Sequence, residues 1–164
     1  MATYKIFKGR QFSFPLMFGF FWKKKILRKT MMLGYDCAYS LDGGDQEDHN
    51  KLFGIGYLPN HHTDSARFGW RYETAIKKVI ISAYVYVDGE RLYTDICEVA
   101  IGEYYEYTIT LNKLGYFFSV KAPDSDYASS LTIPKKHTKR FSYLLGFYFG
   151  GNKSAPHTVT LKTK

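Results

Sequence analysis

Arginine, tyrosine and aspartate recur on alternate positions between His61 and Asp95, in the stretch HHTDSARFGWRYETAIKKVIISAYVYVDGERLYTD. Alternation marks a strand, whose successive side chains point to opposite faces. Asp88-Gly89 is a two-residue hairpin signal, because both turn positions need positive φ and these two residues tolerate it. A turn there sets Val87 opposite Glu90, Tyr86 opposite Arg91, Val85 opposite Leu92 and Tyr84 opposite Tyr93. Val79, Ile81, Ala83 and Val85 then share a face with Leu92, Thr94 and Ile96. The other face holds Ser82, Tyr84, Tyr86, Arg91, Tyr93 and Asp95.

The strand before this hairpin tests the pattern independently. With residues 73–78 as the connection, Tyr72 faces Val79, Trp70 faces Ile81 and Phe68 faces Ala83. Apolar residues meet apolar residues, and Arg67 and Arg71 fall among the tyrosines. A shift of one residue would drive both arginines into the core, where desolvation opposes an unpaired charge.

Tyrosine rings stack on the apolar faces of sugars, and arginine forks bind carboxylates or sulfates bidentately. The expected ligand-binding set is therefore Arg67, Arg71, Tyr84, Tyr86, Arg91, Tyr93 and Asp95. An ordinary solvated sheet face, with Arg91 paired to Asp95, is the alternative. His61-His62 could bind a metal or act as a base, but no third ligand completes a metal pattern, and a surface pair is expected. The loop carrying Asp42, Asp45 and Asp48 has the hard oxygen ligands that Ca²⁺ selects. Its spacing matches no EF-hand, so a solvated turn is expected and no cofactor is assigned. No nucleophile signature or phosphate-cradling loop occurs.

Strands must position these residues. The chain has 164 residues, enough for the single domain expected over 1–164, and its 15 Tyr and 13 Phe favour strands. Apolar runs recur at roughly ten-residue spacing with turn residues between them, and no segment carries a helical period. Extended segments are expected at residues 11–18, 20–30, 31–41, 52–57, 104–111, 116–121, 131–133, 141–149 and 158–162, with residues 1–9 as a possible edge strand. The sum is an all-β, antiparallel two-sheet sandwich of jelly-roll type.

The formal net charge of +8 fits an anionic partner: an acidic sugar, nucleic acid or an anionic membrane surface. Lys23-Lys24-Lys25 are expected to protect a strand edge. Cys37 and Cys97 lie in strand-like runs, as buried reduced thiols. Residues 12–22 are apolar but are interrupted by Pro15 and followed by lysines, unlike a signal peptide, and fall short of the about 20 residues that span a bilayer. A cytoplasmic chain without a membrane span is expected.

The segment YFGGNKSAPHTVTL, from Tyr148 to Leu161, resembles the closing strand of concanavalin-A-like jelly rolls, most of all that of the heparin-lyase-I-like polysaccharide lyases. KLFGIGYLPNHHTDSARFGWRY, from Lys51 to Tyr72, resembles a group of small bacterial proteins that share this ending. The lyase resemblance implies the same sandwich. For activity it would require a cation to neutralise a uronate carboxylate, Arg67 or Arg71, and a base or acid among His62, Tyr84 and Tyr143. No residue aligns with a lyase motif, so none is assigned as catalytic. Three functions follow: a lectin-like module for an anionic oligosaccharide, a lyase-like enzyme on uronate polymers, or an interaction protein that self-assembles through edge strands and aromatics. Nucleic acid ranks last, since no RNP-like or OB-like motif is present.

Overall fold

The computed structural model describes residues 1–126, 128–135 and 141–164. Its strands are β1 (Ala2–Ile6), β2 (Phe20–Trp22), β3 (Ile26–Leu33), β4 (Asn50–Tyr57), β5 (Ser65–Glu73), β6 (Lys78–Val87), β7 (Glu90–Val99), β8 (Tyr104–Leu111), β9 (Gly115–Lys121), β10 (Ala128–Pro134), β11 (Phe141–Leu145) and β12 (Val159–Thr163). They form two antiparallel six-stranded sheets, ordered β1-β12-β3-β8-β9-β10 and β2-β11-β4-β5-β6-β7. The architecture is a jelly-roll sandwich, as the strand spacing anticipates.

The core lies between the sheets. Phe68 of β5 meets Tyr107 of β8 at 5.3 Å and Phe118 of β9 at 5.1 Å, both edge to face. Phe53, from the neighbouring β4, completes the cluster at 5.6 Å from Phe68. All four rings are fully buried. Such pairs add about 0.5–1.5 kcal/mol to the burial of their area.

The register of the β5–β6–β7 meander follows the sequence. Tyr72 pairs with Val79, Trp70 with Ile81 and Phe68 with Ala83, while Val87 faces Glu90 and Tyr84 faces Tyr93. Asp88 and Gly89 adopt φ of 53° and 88°, as a primed turn requires. One irregularity was not foreseen: the register shifts between Ile81 and Ser82, so Ile81 faces Cys97 and not Ile96. The bulge swings Cys97 and Val99 toward the core side.

Other expectations need correction. The strand expected over residues 31–41 stops at Leu33, and Tyr35–Cys37 form a single 3-10 turn. There Asp36 Oδ1 accepts the Thr160 amide of β12 at 2.8 Å, a side-chain bond between segments far apart in the sequence. Residues 11–18 form only isolated bridges at Phe12 and Phe14, and β11 ends at Leu145 rather than 149. The lysine run is the connection from β2 to β3, not a strand edge. Both cysteines are free, but only Cys37 is buried. In the connection at residues 122–138, β10 is longer than expected, and positions 127 and 136–138 lie outside the described residues.

Phe68→Ala would open a cavity touching both sheets. It should lower the unfolding free energy by about 3–5 kcal/mol, measured by urea denaturation.

Candidate functional site

The outer face of the second sheet is built around missing side chains. On β4, Gly54 and Gly56 occupy successive outward positions, facing Arg67 and Ser65 of β5. A Cβ at Gly54 would collide with the Ala66 carbonyl and with Arg67, and one at Gly56 would lie 2.9 Å from His61 Cβ and 3.0 Å from Tyr143 Cζ. The bare backbone is thus the seat on which Arg67, His61 and Tyr143 rest.

Above it lies a cleft of about 680 Å³. Lys51, His61, His62, Arg67, Tyr84 and Tyr86 make its polar lining, and the chain from Phe12 to Phe18 with Leu144–Tyr148 makes an apolar wall. Among the described residues no carboxylate lines it. Cross-strand pairing explains the grouping: Leu145, Gly54, Arg67, Tyr84 and Tyr93 form one lateral row, and Phe20, Tyr143, Gly56, Ser65, Tyr86 and Arg91 the next.

Arg67 is the centre of this site. It is largely buried, and its Nε has no hydrogen-bond partner among the described residues. Desolvation lowers its pKa, opposed by the hydroxyls of Tyr84, Tyr143, Tyr86 and Tyr148. A second buried cation lies beside it. Lys51 Nζ donates to the Gly150 carbonyl at 3.1 Å and sits 4.8 Å from the Tyr84 ring and 5.6 Å from that of Tyr148. Burial, then Arg67, pulls its pKa down to about 8. Two largely buried cations thus lie side by side, held by ring faces and a carbonyl.

The loop between β4 and β5 brings the histidines in. Asp64, anchored by a buried ion pair with Lys135, ends this loop, and the Gly89 amide bonds to the Thr63 carbonyl at 2.9 Å. His61 Nδ1 then lies 3.1 Å from the Tyr143 hydroxyl, and the His62 ring stacks on Tyr86 at 5.1 Å with an 8° tilt. Burial, followed by the charge of Arg67, lowers the His61 pKa to about 4, so the ring is neutral at pH 7.

The seven residues expected from the sequence divide into two groups. Arg67, Tyr84 and Tyr86 line the cleft; Arg91 does not, and its interaction with the Tyr84 hydroxyl raises its pKa. Arg71 and Asp95 stand apart in a bidentate pair at 2.8 Å for both bonds, with Glu47 3.3 Å from Arg71 Nε. Asp95 therefore binds Arg71, not Arg91, and the Arg71 guanidinium is already neutralised. Tyr93 packs on His49 at 4.7 Å, whose Nδ1 lies 2.8 Å from Ser82 Oγ.

The cleft also takes in His61, His62, Lys51, Tyr148 and the 12–18 wall, which lie outside the ligand-binding set expected from the sequence. The alternating glycines of Phe53-Gly-Ile-Gly-Tyr57 were the available signal, because they clear one face of a strand. The Asp42–Asp48 loop is a 3-10 turn over Gly43–Glu47, with Asp45 3.6 Å from Lys153. Among the described residues no three His, Cys, Asp or Glu side chains group closely enough to hold a metal ion.

No family model matches the chain, and no curated protein matches it. Solved structures do. An alginate lyase from Klebsiella pneumoniae superimposes with a TM-score of 0.61 at 10% identity, over 85% of this chain and 58% of the lyase. This chain thus spans under two thirds of that enzyme's length. A protein of unknown function from Saccharomyces cerevisiae gives 0.61 at 10% identity, over 98% of this chain and 83% of that one. CG-16, a homodimeric agglutinin from chicken liver, overlays more loosely, with a TM-score of 0.38 at 9% identity over 89% of this chain and 100% of its own. What the first two share with this chain is the fold. The finer resemblances, to heparin-lyase-I-like enzymes and to small bacterial proteins, rest on residues 148–161 and 51–72 alone.

His49 and His61 both have pKa values lowered from 6.5 to about 4, chiefly by burial. The native state then binds fewer protons than the unfolded chain between those values. Their contribution to stability is complete above about 6.5 and is lost as pH falls toward 4. Imidazole resonances titrating near pH 4 in an NMR series, with denaturation midpoints falling over the same interval, are the expected outcome.

Proposed function

We propose that this protein binds an acidic saccharide of the uronate type in the cleft over Gly54 and Gly56. The observation that carries this reading is Arg67, a largely buried guanidinium whose Nε has no partner, and whose cleft has no carboxylate, among the described residues. A uronate carboxylate would accept from Arg67 and Lys51 together, and the tyrosine and His62 rings would cover the faces of the sugar. Neutral ligands would leave both cations uncompensated, so the charge provides selectivity.

A second reading has its own observation, the His61–Tyr143 hydrogen bond beside Arg67. Neutralising a uronate carboxylate acidifies the proton on the carbon next to it. Neutral His61 could remove that proton while Tyr143 protonates the departing glycosidic oxygen, a β-elimination that leaves a C=C bond in the product. The fold shared with an alginate lyase makes polyuronates the first substrates to try.

Calorimetric titration with oligouronates should show binding that Arg67→Ala weakens at least tenfold, since a charge-assisted hydrogen bond contributes about 1.5–3 kcal/mol. Arg71→Ala should bind as the parent does, because Arg71 is occupied by Asp95. Affinity should fall as pH rises through about 8, where Lys51 loses its proton, with proton uptake on binding near that pH. Equal losses in both arginine variants would remove the cleft from consideration. Ultraviolet absorbance of an unsaturated product on a panel of uronate polymers separates elimination from binding alone.

A further inference from the structure

The segment leading into β2 reverses the usual alternation. Phe12, Phe14, Leu16, Phe18, Phe20 and Trp22 are all exposed, at 65–84%, while the residues between them are small or turned inward, apart from Pro15. A soluble surface scatters large apolar residues singly, and six in one run are a contact surface without its partner. Phe20 and Trp22 share the outer face of β2, and Phe141 of β11 stacks on Phe20 at 5.8 Å, which widens the patch.

Charge identifies the partner. Residues 1–35 contain eight Lys and Arg and no Asp or Glu, leaving the rest balanced at fifteen of each sign. The whole net charge of +8 is therefore carried by the part of the chain that holds the aromatic run. Lys23, Lys24 and Lys25 follow Trp22 directly, are exposed, and pair with no carboxylate among the described residues. A second copy docked through this patch would set lysines against lysines. A sugar would find no outward polar side chain along the run for its hydroxyl groups, whose desolvation would be uncompensated. A lipid surface meets both demands: acyl chains accept Phe, Leu and Trp, and anionic headgroups accept the lysines.

We propose that the 12–25 segment docks this protein on anionic lipid bilayers, with Phe14, Phe18, Phe20 and Trp22 entering the interface and Lys23–Lys25 on the headgroups. The site is distinct from the Arg67 cation site, although Phe12, Leu16 and Phe18 also wall the cleft. Docking would bring the cleft mouth close to the membrane surface.

The chain has two tryptophans, one exposed at Trp22 and one fully buried at Trp70, so a fluorescence change on docking reports Trp22. Mixed with phosphatidylcholine vesicles containing phosphatidylserine, the protein should show a blue-shifted emission, quenched by brominated acyl chains, that Trp22→Phe abolishes. Vesicles of phosphatidylcholine alone should give a much weaker response. Replacing Lys23, Lys24 and Lys25 with Gln should lower partitioning about a hundredfold, at roughly fivefold per lysine. Phe18→Ser with Phe20→Ser should weaken it comparably while near-ultraviolet circular dichroism stays native. Arg67→Ala should bind vesicles normally even where it loses oligouronates.

Four outcomes would overturn the proposal. They are no sedimentation with anionic vesicles at low salt, unchanged partitioning in the serine variant, loss of vesicle binding in Arg67→Ala, or a lipid-free blue shift that grows with protein concentration. The last would assign the patch to a second copy.

Discussion

The candidate site depends on a strip of backbone without side chains. Gly54 and Gly56 clear the outward face of β4, and a Cβ at either would displace the residues seated there. Everything distinctive about the cleft follows from that vacancy. Arg67 can lie flat against the sheet and become buried without entering the core. His61 and Tyr143 can close over Gly56 from two different elements. Lys51, before the irregularity in β4 pairing, comes within reach of Tyr84 and Gly150.

Burying Arg67 and Lys51 side by side opposes folding, since both lose hydration and repel each other. Partial compensation comes from hydroxyls and ring faces, as the direction of the Arg67 shift and its causes show. The contrast with Arg71 is instructive. That residue sits two turns of the pleat away on the same face, yet it is clamped by Asp95 and Glu47, and its pKa is raised rather than lowered. Two arginines of equal standing in the sequence thus have opposite electrostatic fates. One completes an ion pair; the other has no carboxylate beside it among the described residues.

The part of this that was legible in the sequence is the part governed by period two. Strand existence, the Asp88-Gly89 turn and the β5–β6–β7 register all follow from alternation and desolvation, and they placed Arg67, Tyr84 and Tyr86 on one face. Two kinds of information escaped. Side-chain to backbone bonds, such as that of Asp36 to the Thr160 amide, lie just beyond Leu33, where a strand that propensity would continue stops. Pairings between distant segments decided the rest: Asp95 could have served either arginine by parity, and only three-dimensional reach assigned it to Arg71. The His61-His62 loop is positioned by Asp64 and Lys135, residues 71 positions apart that no local pattern connects.

The 12–25 segment shows the converse, a legible pattern that the fold uses in the opposite sense. Six large apolar residues on one parity suggest a strand facing the core, and the three lysines suggest protection of its edge. The structure leaves that parity outside, because Ser13, Met17, Gly19 and Phe21 take the inward positions against β11 and the segment around Gly146. Met17 and Phe21 pack against the core from these positions, Ser13 and Gly19 take up little room beside them, and the other large side chains project outward. A sequence selected only to stabilise this sandwich would reverse the assignment and bury the phenylalanines. Exposed aromatics contribute little to folding while promoting association, so their retention beside a concentrated positive charge points to a surface that meets something apolar and anionic. The same segment walls the Arg67 cleft, which would couple the proposed anion site to the face on which the protein would rest.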